Sequence, residues 1–254
     1  MNPYPVSNSR LAAFKRSPAH LIQYLTEDKI QTPAMAFGSA FHAALLEPDH
    51  YATLYAIAPD VDRRTKDGKL EYDRFVYEAE DKTVISATDS AKINAMLASV
   101  HSNSVANELL SACKQFEAEF KWNNADTGLE MRGFIDGIGS DFILDVKTTT
   151  NADARSFQND IFRSQYHRQA AIYLDAISAD FHVDFYFIAI EKDAPYGVSV
   201  HRLDQQAIEA GRKMMVDQLF EYRQWVDAGM PNASYDYWHY AGIYDVELPK
   251  WMQV

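Results

Sequence analysis

The chain has 254 residues, 47% of them hydrophobic, a formal net charge of −12 and one cysteine. That length sustains one large domain with a full core, and the lone Cys113 excludes an intramolecular disulfide, a cysteine-rich zinc site and a four-cysteine iron–sulfur cluster, in keeping with a reducing cytoplasm. The acidic balance argues against a generally basic surface for nucleic acid, while leaving open a DNA-binding site approached through carboxylate-held metal.

The first residues, MNPYPVSNSR, lack the apolar run of a signal peptide, and no uninterrupted apolar stretch is long enough to span a bilayer, so a soluble protein is expected. SNSRLAAFKRSPAHLIQYL reads as two short helices, with Ser7 or Ser9 as the first cap and a break at Ser17-Pro18. TPAMAFGSAFHAALLEP is the clearest helix of the amino-terminal part, capped by Thr32, with Pro33 in its first turn and Pro48 just past its end. Residues 60–82 are charged and carry a Lys-Asp-Gly turn signal, which predicts a solvated loop followed by a helix. Two further helical patterns lie between Ser86 and Cys113.

The character then changes. FEAEFKW and LEMRGFIDGI alternate around the turn NNADTG, and DFILDVKTT follows a short turn at Gly139-Ser140, together predicting a three-stranded antiparallel meander. After it come an amphipathic helix (SQYHRQAAIYLDAIS), two strands (VDFYFIAIE and YGVSVHRL) and a long helix ending at Gly229. The aromatic tail YDYWHYAGIYDVELPKWMQV has no period and is expected to wrap the surface or a neighbouring subunit. Helices, then a meander, then helix and strands predict an α/β fold with a central mixed β-sheet flanked by helices. The expected organisation is a single domain over 1–254, with a mainly helical part to 113, a sheet core over 114–203 and a carboxy-terminal helix and tail over 204–254.

Strand periodicity puts Asp145, Lys147 and Ile143 on one face and Leu144 and Val146 on the other. Asp136, on the preceding strand, can approach Asp145 across the turn, depending on register. Two carboxylates brought together repel unless a cation lies between them, and hard oxygen ligands suit Mg²⁺ or Mn²⁺. Lys147 then stands where a cation could orient a water or stabilise charge on a phosphoryl oxygen, which points to metal-assisted phosphodiester hydrolysis. The competing reading of an isolated Asp-x-Lys is a surface salt bridge; the apolar flanks here are those of an interior strand, where unpaired charge is costly. Gly38 and His42 are four apart on a helix, and the glycine is read as a place where only a hydrogen side chain permits close approach. Gln169 and Tyr173 are likewise one helical turn apart.

In this order, G-x-x-x-H at Gly38–His42, GFID ending at Asp136, LDVKT with Asp145 and Lys147, and Q-x-x-x-Y at Gln169–Tyr173 resemble the PD-(D/E)XK nuclease superfamily, specifically its RecB-like branch. VSNSRLAAFKRSPAHLIQYL together with TPAMAFGSAFHAALLEP resembles more narrowly the RecE-type nuclease domain (exonuclease VIII) of phages and prophages. Such a domain often reads Arg-Pro-Asp at the first aspartate, whereas Phe134-Ile135-Asp136 is nearer to helicase-linked RecB nucleases.

The resemblance implies that His42, Asp136 and Asp145 hold or approach a divalent metal, that Lys147 serves catalysis, and that Gln169 and Tyr173 form the wall of the site or touch nucleic acid. Glu117 takes the place of an accessory acid, with Glu119 as the alternative. The implied activity is a 5′-to-3′ exonuclease on double-stranded DNA ends, leaving 3′ single strands for an annealing partner in phage-type recombination, within a bacterial or phage-infected cytoplasm. A ring-shaped homo-oligomer is implied too. Arg10, Lys15 and Arg16 are candidates for the terminal phosphate; their other reading is a solvated helix face. The alternatives within the fold are an endonuclease, a single-strand-specific nuclease, or an inactive DNA-end or protein-binding scaffold.

Overall fold

Caps and prolines divide the amino-terminal chain into helices at the places their chemistry requires. The computed structural model describes residues 5–27, 32–79, 81–177, 183–237 and Glu247. Ser7 accepts the Arg10 amide at 3.3 Å to open α1 (Asn8–Arg16), and Ser17 accepts the His20 amide at 3.3 Å to open α2 (Pro18–Thr26), with Pro18 in its first turn. Thr32 caps α3 (Pro33–Leu46). Pro48 does more than close α3: it starts a short α4 (Pro48–Leu54), because a proline is as well suited to a first helical turn as it is unsuited to an interior one.

A parallel pair, β1 (Tyr55–Ile57) and β2 (Thr83–Ile85), flanks α5 (Lys66–Ala79), adding strand to a region expected to be mainly helical. The Lys-Asp-Gly signal at 66–68 is not a turn but the first turn of α5. A β-carbon at Gly68 would stand 2.3 Å from the Asp62 carbonyl oxygen, so the glycine permits a close backbone approach there. Then follow α6 (Ala87–Ser102) and α7 (Ser104–Ala112), capped by Ser86 and Asn103.

The main sheet has five strands in the order β3 (Gln115–Asn123), β4 (Glu130–Ile138), β5 (Phe142–Thr149), β6 (Asp184–Glu191) and β7 (Val198–Arg202). β4 and β5 are antiparallel across the tight turn at Gly139, β5 and β6 parallel, and β6 and β7 antiparallel, so the sheet is mixed as expected. The parallel pair requires a crossover, supplied by α8 (Ala154–Arg163) and α9 (Tyr166–Ala176). Nothing in the sequence reading anticipated α8, although Asp153 accepts the Arg155 and Ser156 amides at its start and buries Phe157 and Ile161 one turn apart. The last long helix, α10 (Gln205–Asp227), ends before Gly229. Beyond Tyr237 the expected surface-wrapping tail lies outside the described residues, apart from Glu247.

Two units make up the chain, the larger from residues 30–122 and 132–215, the smaller from 1–29, 123–131 and 216–254. In the larger unit one sheet face presents Leu144, Val146, Ile188 and Ile190 to Ala40, Phe41 and Leu45 of α3 and to Ile93, Met96 and Val100 of α6. Each fully buried Val, Leu, Ile, Phe or Met side chain among them contributes about 1.5–3 kcal/mol relative to exposure. The other face meets α8 and α9 through Phe157 against Phe187 and Tyr173 against Phe185. In the same unit α10 crosses α9 at Gly211, where a β-carbon would fall 2.1 Å from the His167 carbonyl oxygen, and Arg212 ties the crossing to Asp175 at 2.9 Å. The smaller unit gathers Phe14 against Tyr222 and Trp225, with ring centroids 4.9 and 5.4 Å away. Among the described residues no helix is long and apolar enough to cross a membrane.

Candidate metal centre and active site

β5 is hydrogen-bonded on both sides, and its Phe142-Ile143-Leu144 run is buried, as expected for a central strand. Asp145 stands in it with no exposed surface. A carboxylate there needs partners, and it has two. Gln169 Nε2 donates to Asp145 Oδ1 at 3.1 Å, and the Lys147 ammonium lies 2.5 Å from Oδ2. The buried Oδ2 thus has its partner in the Lys147 ammonium.

Register explains Asp136. Gly137 pairs with Leu144 and Ile138 with Ile143; one step further from the turn, the Val146 amide is taken by Asp136 Oδ2 at 2.7 Å. The carboxylate thus replaces a strand partner for a buried amide, and is itself held in place. From the other side of β5, α3 delivers His42, whose Nδ1 is 3.6 Å from the same Oδ2.

Glu117 completes the group. One ligand atom each from His42, Glu117 and Asp136 lie within 4.8 Å of one another. Glu117 reaches that place with φ of 47°, in the left-handed region, at a cost of about 1–3 kcal/mol for a residue with a side chain. Phe116 packs with the cluster containing Leu144 and Val146, whereas Phe120 lies edge-on to Tyr173, 5.5 Å away. Four residues apart on a regular strand they would share a face, so the kink at Glu117 breaks the alternation. Glu119, the alternative accessory acid, would share a face with Glu117 on a regular strand, but here it is exposed.

The α9 residues fall into line: Gln169 Nε2 also donates to the Tyr173 hydroxyl at 2.7 Å, one helical turn on. Gly38 does not fit its expectation. A β-carbon there would meet only Thr148 Oγ1, at 4.0 Å, an ordinary contact, so packing within the protein does not demand a glycine. Arg10, Lys15 and Arg16 lie in the smaller unit, where the Arg10 guanidinium donates to the Pro5 carbonyl and Lys15 and Arg16 are exposed in the last turn of α1.

The electrostatics are those of a site with excess negative charge. Burial, then Asp136, Glu47 and Asp145, push the Glu117 carboxyl up to about 7. Burial pushes Asp145 up to about 6, with Asp136 adding and Lys147 opposing. Asp136 is raised by burial against the pull of Lys147 and the Val146 amide. His42 is lowered to about 4 by burial and then by Lys147, leaving a neutral imidazole with a free lone pair. Burial alone would lower Lys147, but Asp145 and Asp136 outweigh it and keep the ammonium charged.

One imidazole nitrogen and converging carboxylate oxygens, both carboxylates destabilised as anions by burial and Glu117 also by its acidic neighbours, are a donor set that fits a divalent cation. His42, Glu117 and Asp136 could hold it. Asp145, expected to hold or approach the metal, lies beside that trio and contacts Lys147 and Gln169. Two contributors escaped the sequence reading: Glu47, which acts on Glu117, and Tyr166, whose ring centroid is 4.9 Å from Lys147 Nζ. The signal for Tyr166 was its position three residues before Gln169, on the same side of a helix.

The model of a family described as a PDDEXK-like domain of unknown function (DUF3799) matches residues 7–233. No curated protein matches. The crystal structure named "Putative exonuclease" from Eubacterium rectale superposes with a TM-score of 0.62 at 10% identity, covering 96% of this chain and 90% of that one, a likeness of fold. The structure of SSO0001 is 14% identical over 74% of this chain and 85% of that one, with a TM-score of 0.32, too low to bear on the fold.

Proposed function

We propose, from the premise that this chain belongs to the PDDEXK-like family DUF3799, that it is a metal-dependent nuclease that degrades DNA from double-stranded ends. The observation that carries the reading is the convergence of His42, Glu117 and Asp136 beside the buried Asp145–Lys147 pair. A purely structural ion pair needs no such trio of ligand atoms next to it.

A bound Mg²⁺ or Mn²⁺ would supply Lewis acidity at a phosphoryl oxygen and a more acidic water. The chain's own residues do the rest. Asp136, fixed by the Val146 amide, and His42, held neutral, present ligand atoms beside the middle of the central strand. Asp145 anchors the ammonium of Lys147, which faces the charge that builds on the phosphate during displacement. Gln169 and Tyr173 wall the site and contact the nucleic acid, and Gln169 also occupies the remaining oxygen of Asp145.

The finer reading is a 5′-to-3′ exonuclease that leaves 3′ single strands for an annealing protein in recombination, working as a ring-shaped homo-oligomer in the cytoplasm of a bacterium or phage-infected cell. It is supported by the resemblance to RecE-type domains and by the name of the Eubacterium rectale neighbour. Arg10, Lys15 and Arg16 are then the cations offered to a terminal 5′-phosphate.

The test is degradation of a linear duplex labelled at the 5′ end of one strand and the 3′ end of the other, with Mg²⁺ or EDTA, by wild type and Asp145→Ala. Metal-dependent early release of the 5′ label, absent in the variant and on closed circular DNA, is the expected result. Cleavage of circles would make the enzyme an endonuclease. A folded wild-type protein that cleaves nothing with either metal would be a scaffold instead.

A further inference from the structure

Lys147 has a long flexible stem, and one carboxylate is too little to aim its ammonium. Its second neighbour is Tyr166, which takes no part in the metal group. Gln165, just before it, has φ of 58° and makes no side-chain cap bond, so α9 starts from a left-handed residue with Tyr166 at its first position. That conformation is unfavourable for glutamine and needs a return elsewhere. Its geometric consequence is that the Tyr166 ring lies under Lys147 Nζ, 4.9 Å from the centroid, while Asp145 Oδ2 is 2.5 Å from the same atom.

The ring is itself held. Its centroid lies 6.3 Å from that of Phe157 and 5.9 Å from that of Phe187, and these two stand edge-to-face at 6.1 Å. Both phenylalanines are buried, and Phe187 is the register partner of Asp145 on β6. One rigid layer therefore fixes both sides of the ammonium: the carboxylate through the strand, the aromatic face through α8 and β6. An aromatic face attracts a cation without taking up a hydrogen-bond direction as an acceptor would, which leaves the ammonium's remaining N–H directions for a substrate oxygen.

We propose that Tyr166 is a positioning residue for Lys147, its ring face setting the direction of the ammonium, and that this is why the chain accepts a left-handed glutamine at 165. The inference rests on the nuclease reading only for its effect on turnover; the placement of the lysine is independent of it.

The experiment compares Tyr166→Phe and Tyr166→Leu, with Tyr166→Met as a second ring-free variant should leucine fail to fold, each in the wild-type and Lys147→Ala backgrounds. In protein carrying ¹³C-labelled lysine, the Lys147 ε-methylene protons, identified by their loss in Lys147→Ala, should be shifted upfield by the ring. Phenylalanine should keep that shift and the rate. Leucine or methionine should abolish the shift and lower kcat about tenfold at unchanged KM, with no further loss in the Lys147→Ala background. Retention of the shift without the ring, or an equal loss of rate in both backgrounds, would overturn the proposal. If the wild type proves inactive on DNA while the shift disappears with the ring, the positioning stands and the nuclease reading falls.

Discussion

Asp136 Oδ2 accepts the amide of Val146 at 2.7 Å, so a residue of the candidate metal group also completes the hydrogen bonding of a fully buried stretch of backbone. The two duties separate by substitution. Asp136→Ala leaves a buried amide without its acceptor and should cost about 1–3 kcal/mol in urea unfolding. Asp136→Asn keeps an acceptor oxygen and should hold stability close to wild type, yet weaken Mn²⁺ binding at least tenfold by titration calorimetry. Equal stability of the two variants would show that the amide does not depend on the carboxylate.

Glu117 and Glu119 should respond in opposite ways. Mn²⁺ at 100 times its dissociation constant should stabilise the wild type by about 2.7 kcal/mol, read as a rise in melting temperature that EDTA reverses. Glu117→Gln should lose most of that increment, because its ligand atom belongs to the trio with His42 and Asp136, and Glu119→Gln should keep it. An unchanged increment in Glu117→Gln would remove Glu117 from the ligand set.

Lys147→Ala should keep DNA affinity and lower turnover by about 10² or more, the order of one lost transition-state stabiliser. It also leaves the Asp145 carboxylate buried without its cation. Breaking such a pair costs at most about 3–5 kcal/mol, and less here because the lysine side chain keeps 18% of its exposure. Adding Asp145→Asn should restore much of the lost stability and none of the rate. Parallel loss of affinity and rate would contradict a role confined to the chemical step.

Two helical glycines should answer an added methyl differently. Gly211→Ala drives a β-carbon to 2.1 Å from the His167 carbonyl oxygen, so α9 must shift. Stability should fall by more than about 1–3 kcal/mol, and activity with it, since α9 carries Gln169 and Tyr173. Gly38→Ala meets nothing closer than 4.0 Å and should gain up to about 1 kcal/mol from helix propensity. Loss of activity in a stabilised Gly38→Ala would mean that a ligand, and not the protein, needs the space.

The sequence was most informative where a local signal and the environment agree. Thr32 with Pro33 starts α3, and the apolar run before Asp145 marks a central strand, because caps and burial act over a few residues. It was weakest where a chain departs from its own period. Nothing in FEAEFKW announces a left-handed Glu117, yet that one torsion decides which glutamate joins His42 and Asp136. Gly68 carried a turn signal and serves a helix, since the need for close approach arises from Asp62, outside the three residues that made the signal. The short α8 helix buries only Phe157 and Ile161, one turn apart in a largely polar stretch, while Phe162 stays exposed, so its periodic signal is brief until β6 supplies Phe187 for Phe157 to pack on.

The place of β5 between β4 and β6 also sets an order of events during synthesis. Asp145 can be enclosed only after Phe187 arrives beside it, and Phe187 follows two further helices along the chain. A nascent chain that has released β5 but not β6 exposes the carboxylate to water and lacks the wall that confines it. The pairing that closes the centre is a late, non-local step, of the kind that folds slowly. The charged centre is therefore complete only once the chain has been made through β6.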